Sequence, residues 1–265
     1  MPKYQVFSSG GGTQSACITA LIIQKVLPRP DFIVIADTGR EMPTTWEYMD
    51  NVLQPALKKV GLSIIKVSAM EKSRQPDIYY HSKKTGEKGD LMIPFFSNKD
   101  NNPVKLPAFC SGYWKGNVVN EYLSKQGVKR QDYVKWIGFS LDETNRVLRM
   151  QKGEEYKDGL IRFPLVEQRL KRQDAIRLVE KMGWPTPPRS RCWMCPNQSD
   201  LQWQEVKTKH PDFFRKAIKM DELIRADGTN AFLHSTMQPL KSVDLSKEDD
   251  LFSDGSGCSS GDCFL

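Results

Sequence analysis

The chain opens on a short strand-like run, Tyr4-Gln5-Val6-Phe7-Ser8-Ser9, that enters a glycine-rich turn. Over residues 14–27 the apolar positions Ala16, Ile18, Ala20, Leu21, Ile22 and Ile23 crowd all sides of a helix. That pattern predicts a largely buried helix, which Pro28 ends. Residues 31–36, with Phe32-Ile33-Val34-Ile35 at their centre, form a short run rich in β-branched residues and read as a second buried strand. A helix over 44–60, with Gly61 suited to its C-terminal cap, and a third strand over 62–67 complete a strand–helix–strand–helix–strand series. Such a series predicts an α/β fold, a parallel twisted sheet flanked by helices.

Beyond residue 69 the pattern weakens. Residues 70–108 are polar and rich in Lys, Asn, Pro and Gly. They read as a long excursion over the active-site face, mobile around Lys83–Asp90. Helical patterning returns over 113–126, and Tyr133 to Phe139 reads as another strand. Residues 170–182 carry Ala175, Ile176, Leu178, Val179 and Met182 on one face of an amphipathic helix. Two more helices fit 199–209 and 211–226. The expected organisation is a nucleotide-binding part over 1–168, a helical cysteine-bearing part over 169–245, and a flexible Gly/Ser-rich tail over 246–265.

No apolar run is long enough to span a membrane and no secretory leader is visible, so the cytoplasm is the expected location and no membrane partner is expected. The 39 basic and 32 acidic residues leave a formal charge of +7, an excess that favours polyanionic partners. In a reducing compartment the cysteine pairs point to metal binding or sulfur chemistry rather than disulfides. Cys192-Trp193-Met194-Cys195 spaces two thiolates for one metal centre, Cys110 lies upstream, and Cys258 and Cys263 sit on the tail. Cys17, inside the apolar first helix, reads as core packing, and the scattered His81, His210 and His234 as structural residues.

The turn Ser8-Ser9-Gly10-Gly11-Gly12-Thr13-Gln14-Ser15 offers backbone amides, hydroxyls and a helix N-terminus to a phosphate. It lacks the Lys of a Walker motif and the spacing of a dinucleotide fingerprint, and alone it also admits the reading of a tight strand-to-helix turn. The second strand ends in Asp37-Thr38-Gly39, and ligands of parallel sheets bind at the carboxyl ends of strands.

Asp37-Thr38-Gly39-x-Glu41-x-Pro43-x-Thr45 after strand two, with the serine–glycine turn after strand one, resembles the PP-loop ATP pyrophosphatase superfamily in its phosphoadenylylsulfate-reductase-like branch. Cys110-Ser111-Gly112-Tyr113-Trp114-Lys115, Gly138 with Asp142-Glu143 and Arg146, and the strand-like Phe163-Pro164-Leu165 resemble further segments of that family, in its order. Gly12-Thr13-Gln14 departs from it, standing where the family carries a phosphate-contacting lysine. The resemblance implies a fold like that of the adenine nucleotide α-hydrolases. It implies ATP held with Mg²⁺ by Ser8 to Ser15 and Asp37 to Gly39, with Lys115 and Arg146 on the phosphates. It also implies an iron–sulfur cluster of the [4Fe–4S] type on Cys110, Cys192 and Cys195, zinc being the other metal that thiolates suit.

Among sulfur-inserting relatives the chain looks most like the ATP pyrophosphatases of DNA phosphorothioation systems. By that likeness it adenylates a substrate oxygen, releases pyrophosphate and prepares sulfur incorporation into nucleic acid, DNA ahead of tRNA. A cysteine desulfurase would donate the sulfur, and Cys258 or Cys263 would carry it. The alternatives implied are a sulfonucleotide reductase with a tail cysteine as nucleophile, a tRNA-thiolating enzyme, and a non-catalytic nucleotide-binding module with a structural metal site.

Overall fold

In the computed structural model, which describes residues 2–69, 79–81, 88–99, 102–226 and 228–246, the chain begins with β1 (Tyr4–Ser8), α1 (Thr13–Ile23), β2 (Phe32–Asp37), α2 (Pro43–Tyr48), α3 (Gln54–Lys58) and β3 (Ile64–Ser68). Four short strands follow: β4 (Tyr79–His81), β5 (Lys88–Leu91), β6 (Phe96–Lys99) and β7 (Asn102–Lys105). Next come α4 (Asn117–Lys125), β8 (Tyr133–Ile137), α5 (Thr144–Gln151), α6 (Glu154–Lys157), β9 (Ile161–Arg162) and α7 (Pro164–Glu167). The last elements are α8 (Arg172–Lys181), α9 (Asp200–Lys209), α10 (Pro211–Ala226) and β10 (Ala231–Phe232). They fold as two compact units, Met1–Arg74 with Tyr113–Arg191, and Gln75–Gly112 with Cys192–Leu265. The division is not linear in sequence: the segment expected as an active-site excursion groups with the helices after Cys192.

In the first unit β3-β2-β1-β8-β9 form one all-parallel sheet. Side-chain alternation along each strand builds two cores. Phe7, Ile33, Val134 and Trp136 pack on one face against Ala16, Cys17 and Leu21 of α1, Leu57 of α3, and Ala175 and Val179 of α8. Val6, Val34, Ala36, Val67 and Tyr133 pack on the other against Val118, Val119 and Leu123 of α4. Each buried Val, Leu, Ile or Phe among them contributes about 1.5–3 kcal/mol by leaving water. The density of apolar residues in α1 is thereby explained, since nearly every position from Thr13 to Ile22 is buried. The helix expected over 44–60 is α2 and α3 joined by a π-helical segment, Met49–Leu53.

The sheet order has a functional consequence. β1 is flanked by β2 on one side and β8 on the other, so the chain leaves it in both directions. In open α/β sheets such a reversal opens a crevice above the carboxyl ends of the strands. Here it lies between the turn after β1 and the turn after β8.

The second unit holds an antiparallel sheet β10-β6-β7, a two-stranded β4-β5 ladder, and α9 packed on α10. Ser199 starts α9 with a capping box: its hydroxyl accepts the Gln202 amide and Gln202 accepts the Ser199 amide. Trp203 and Phe214 meet edge to face in this core, ring centres 6.4 Å apart. Asp221, fully buried, accepts the amides of Leu233 (2.9 Å) and Leu240 (2.8 Å) and pairs with Arg225 at 2.6 Å, tying α10 to the chain that follows it.

Two expectations change. Among the described residues the 70–108 segment contains four strands that short, charged, poorly periodic stretches did not announce; part of the Lys83–Asp90 stretch lies outside the described residues. Phe163-Pro164-Leu165 is not a strand. The ladder stops at Arg162, and Pro164, with no amide to donate, opens α7 instead.

Candidate functional site

The turn after β1 is held by its own serines. Ser15 Oγ accepts the Gly10 amide at 2.8 Å and Ser9 Oγ accepts the Gly11 amide at 3.3 Å, so these two hydroxyls and two amides are spent on the turn. Gly11 sits at φ +72°, where a Cβ would come 2.8 Å from Thr45 Cγ2, so only glycine is comfortable there. What remains for a ligand is the start of α1. Its N-cap is Gly12, no side chain caps it, and no acidic residue lies in its first turn. Thr13, 1% exposed, has a hydroxyl that finds no hydrogen-bond partner among the described residues. Uncapped amides at the positive end of a helix, with a buried hydroxyl beside them, suit an anion.

Gly12 and Gln14 have physical roles in this turn. A Cβ on Gly12 would lie 2.8 Å from Ser190 N and 2.9 Å from Ser190 Cβ, so the segment Pro188–Ser190 occupies the space a side chain would need. Any side chain at this position must displace that segment. The same segment is pinned by three bonds: Arg191 O accepts the Met42 amide (3.0 Å), Ser190 Oγ donates to Glu41 (3.4 Å), and Tyr48 OH donates to Pro185 O (2.9 Å). Gln14 reaches across the crevice and donates to Glu143 Oε2 at 3.2 Å. Glu143 also accepts the amide and hydroxyl of Ser140, both at 3.0 Å, and pairs with Arg146. The Arg146 guanidinium lies over the Phe139 ring at 4.1 Å.

The second strand's turn is equally committed. Asp37 Oδ1 accepts the Gly39 amide (2.8 Å), and Oδ2 pairs with Lys66 (2.9 Å), whose ammonium stands 3.8 Å from the centre of the Trp46 ring. Thr38, buried, accepts from the Arg40 amide at 3.3 Å. Arg40 lies over Trp114 at 4.3 Å, and Lys115 pairs with the buried Glu41 at 2.6 Å. Ser8 closes β1, in register with Val34 and Ile137.

Ser8 to Ser15, Asp37 to Gly39, Lys115 and Arg146 therefore all belong to the first unit. Glu41, a position of the quoted segment after the second strand, joins them, and so do Trp46, Lys66 and Ser190, which spacing alone did not single out. Lys66 could have been noticed as a lysine near the carboxyl end of a predicted strand. Ser190 had no local signal, because its contact with Gly12 spans most of the unit.

Cys110, Cys192 and Cys195 fall in the second unit and are half-buried. The Cys195 amide donates to Cys192 O (3.1 Å), which puts the pair on one turn, and the Cys110 amide donates to Met92 O (2.9 Å). Two thiols on a turn fit a metal centre as a partial donor set. Among the described residues no group of three His, Cys, Asp or Glu side chains is placed to hold a metal ion. Cys258 and Cys263 lie outside the described residues. Burial pushes the Cys17 thiol up to about 12, consistent with a packing role. No described helix is long and apolar enough to cross a membrane.

Comparison with known proteins finds no matching family model, and no curated protein matches the chain.

Proposed function

We propose that the first unit binds ATP with its Mg²⁺ and cleaves it between the α and β phosphates, adenylating a substrate oxygen ahead of sulfur incorporation into nucleic acid, with the DNA backbone phosphate as the favoured acceptor. The observation that carries this reading is the uncapped start of α1, with Thr13 buried and unpartnered beside it, at the reversal of strand order.

The chemistry balances as an in-line displacement. The substrate oxygen forms a bond to the α-phosphorus. The bond from that phosphorus to the bridging oxygen breaks, and pyrophosphate leaves with the electron pair. The α1 amides and Thr13 hold the charge of the departing pyrophosphate, and Arg146 and Lys115 are the nearby cations. Both cations are tethered, to Glu143 and Glu41, which fixes their ammonium and guanidinium groups before the nucleotide arrives. The adenylated oxygen is then a leaving group for a sulfur nucleophile, AMP departing. The sulfur is proposed to come from a cysteine desulfurase as a persulfide on Cys258 or Cys263: its outer sulfur bonds to the phosphorus, and a thiol then attacks the cysteine sulfur, which breaks the S–S bond, frees the phosphorothioate and leaves a disulfide on the cysteine. An iron–sulfur cluster on Cys110, Cys192 and Cys195 remains part of the proposal, and no step here depends on it.

The test is product analysis. Full-length protein with Mg²⁺, ATP labelled at the α-phosphate, a DNA oligonucleotide and a persulfide donor should give AMP and pyrophosphate in equal amounts, and without the donor pyrophosphate and an adenylated intermediate. ADP and phosphate as products, or no turnover with DNA or tRNA, would sink the reading.

A further inference from the structure

The junction of α9 and α10 carries a surface that the nucleotide site does not use. Between Lys207 and Lys219 the sequence reads five cations (Lys207, Lys209, Arg215, Lys216, Lys219) against one carboxylate, Asp212. Asp212 is taken by Arg215, and Lys209 stands 3.6 Å from Glu205. Lys207, Lys216 and Lys219 are exposed and have no carboxylate partner among the described residues.

Two phenylalanines sit inside this run and do different work. Phe214 is buried against Trp203 and belongs to the core. Phe213 is only half-buried; its ring centre lies 6.4 Å from Trp193 and 6.4 Å from His210. The Lys216 ammonium stands 4.9 Å from the Phe213 ring centre, and Lys207 stands 5.9 Å from that of Phe214. A half-buried aromatic ring with an indole beside it and an ammonium group near it, on a surface that carries further unneutralised ammonium groups, is what a stacked base and its flanking phosphates require.

We propose that this surface binds single-stranded DNA, one base stacking on Phe213 while Lys207, Lys216 and Lys219 meet the backbone phosphates. A duplex hides the base faces that Phe213 would take, and an acidic peptide would use the cations but not the ring. The proposal rests on the function proposed above only for its nucleic-acid partner, and it concerns binding, not turnover.

Fluorescence anisotropy with a labelled single-stranded oligonucleotide and full-length protein, without ATP, tests it. Phe213→Ala should weaken binding about 5- to 150-fold, while Phe213→Trp should keep or tighten it. The double variant Lys216→Gln/Lys219→Gln should reduce the slope of log affinity against log salt by about 1.4, at about 0.7 per lost phosphate contact. These lysines are exposed, so this variant does not depend on the fold tolerating a core change. Wild-type affinity in both sets would overturn the proposal. So would tighter binding of the duplex, tighter binding of single-stranded RNA, or equal competition by poly-glutamate. Binding that follows these predictions in a protein that releases no pyrophosphate would leave this inference standing and remove the proposed reaction. Pyrophosphate release on DNA that is untouched by Phe213→Ala would do the reverse.

Discussion

Replacing Gly12 by alanine tests whether the segment before Cys192 is packed on the glycine turn. Gly12 has φ −101°, an ordinary value, so alanine meets no backbone strain there. The new Cβ would meet Ser190 N at 2.8 Å, Ser190 Cβ at 2.9 Å and Pro188 O at 3.4 Å. Comfortable contact is about 3.5 Å or more, so two neighbouring atoms must each yield by more than half an ångström. They are backbone or backbone-attached, and hydrogen bonds from Met42 and to Glu41 hold the segment, so it cannot simply turn aside. Overpacking of this kind costs about 1–3 kcal/mol, and alanine is a poorer N-cap than glycine. The reduced freedom of the unfolded chain returns about 0.4–1 kcal/mol. The net expectation is about 1–2 kcal/mol of destabilisation, read as a lower urea midpoint at unchanged slope. Gly10 is the control two residues away, since a Cβ there meets nothing nearer than Ser15 Oγ at 3.8 Å. Gly10→Ala should be neutral within about 0.5 kcal/mol. Equal midpoints for the two variants, or a larger loss at Gly10, would refute the packing argument.

Glu143→Gln should destabilise the first unit by about 2 kcal/mol, because it strips the charge from a carboxylate that gathers Gln14, Ser140 and Arg146; thermal melts of wild type and variant give the comparison. Lys135 is held by Asn120 at 2.9 Å; burial, helped by Arg130 and opposed by Glu155, lowers its pKa to about 8. The unfolded chain then binds the extra proton between about pH 8 and 10.5, so this group makes stability rise with pH across that window. Lys135→Met should remove that rise, and denaturation midpoints at pH 7.5 and pH 10 should show a smaller difference in the variant than in wild type. Asp221→Ala leaves the Leu233 and Leu240 amides without their acceptor and Arg225 without its carboxylate. It should cost about 3 kcal/mol or more, with amide exchange of Leu233 and Leu240 accelerating ahead of strands in the parallel sheet.

The amino-acid sequence alone determined four of the five strands of the parallel sheet, β1, β2, β3 and β8. Runs such as Phe32-Ile33-Val34-Ile35 and the all-round apolar helix before Pro28 are local signals, set by burial on both faces of a strand or all sides of a helix. The same locality made α9 and α10 legible, with Ser199 and Pro211 at their starts. It failed over 70–108, where strands of three or four residues carry too little period to read, and at Phe163-Pro164-Leu165, where proline's missing amide mattered more than the apolar run. The glycine turn and the Asp37-Thr38-Gly39 turn were visible as candidates, but what their side chains do was not. Tertiary structure decided that Ser9 and Ser15 brace the turn, that Asp37 is held by Lys66, that Gln14 answers Glu143 across the crevice, and that Gly12 is small because Ser190 stands against it. Each of those pairings except the first joins residues far apart in sequence that only the folded arrangement of strands and loops brings together. Hydrophobic period is written in neighbours along the chain, whereas a site is written in neighbours across it.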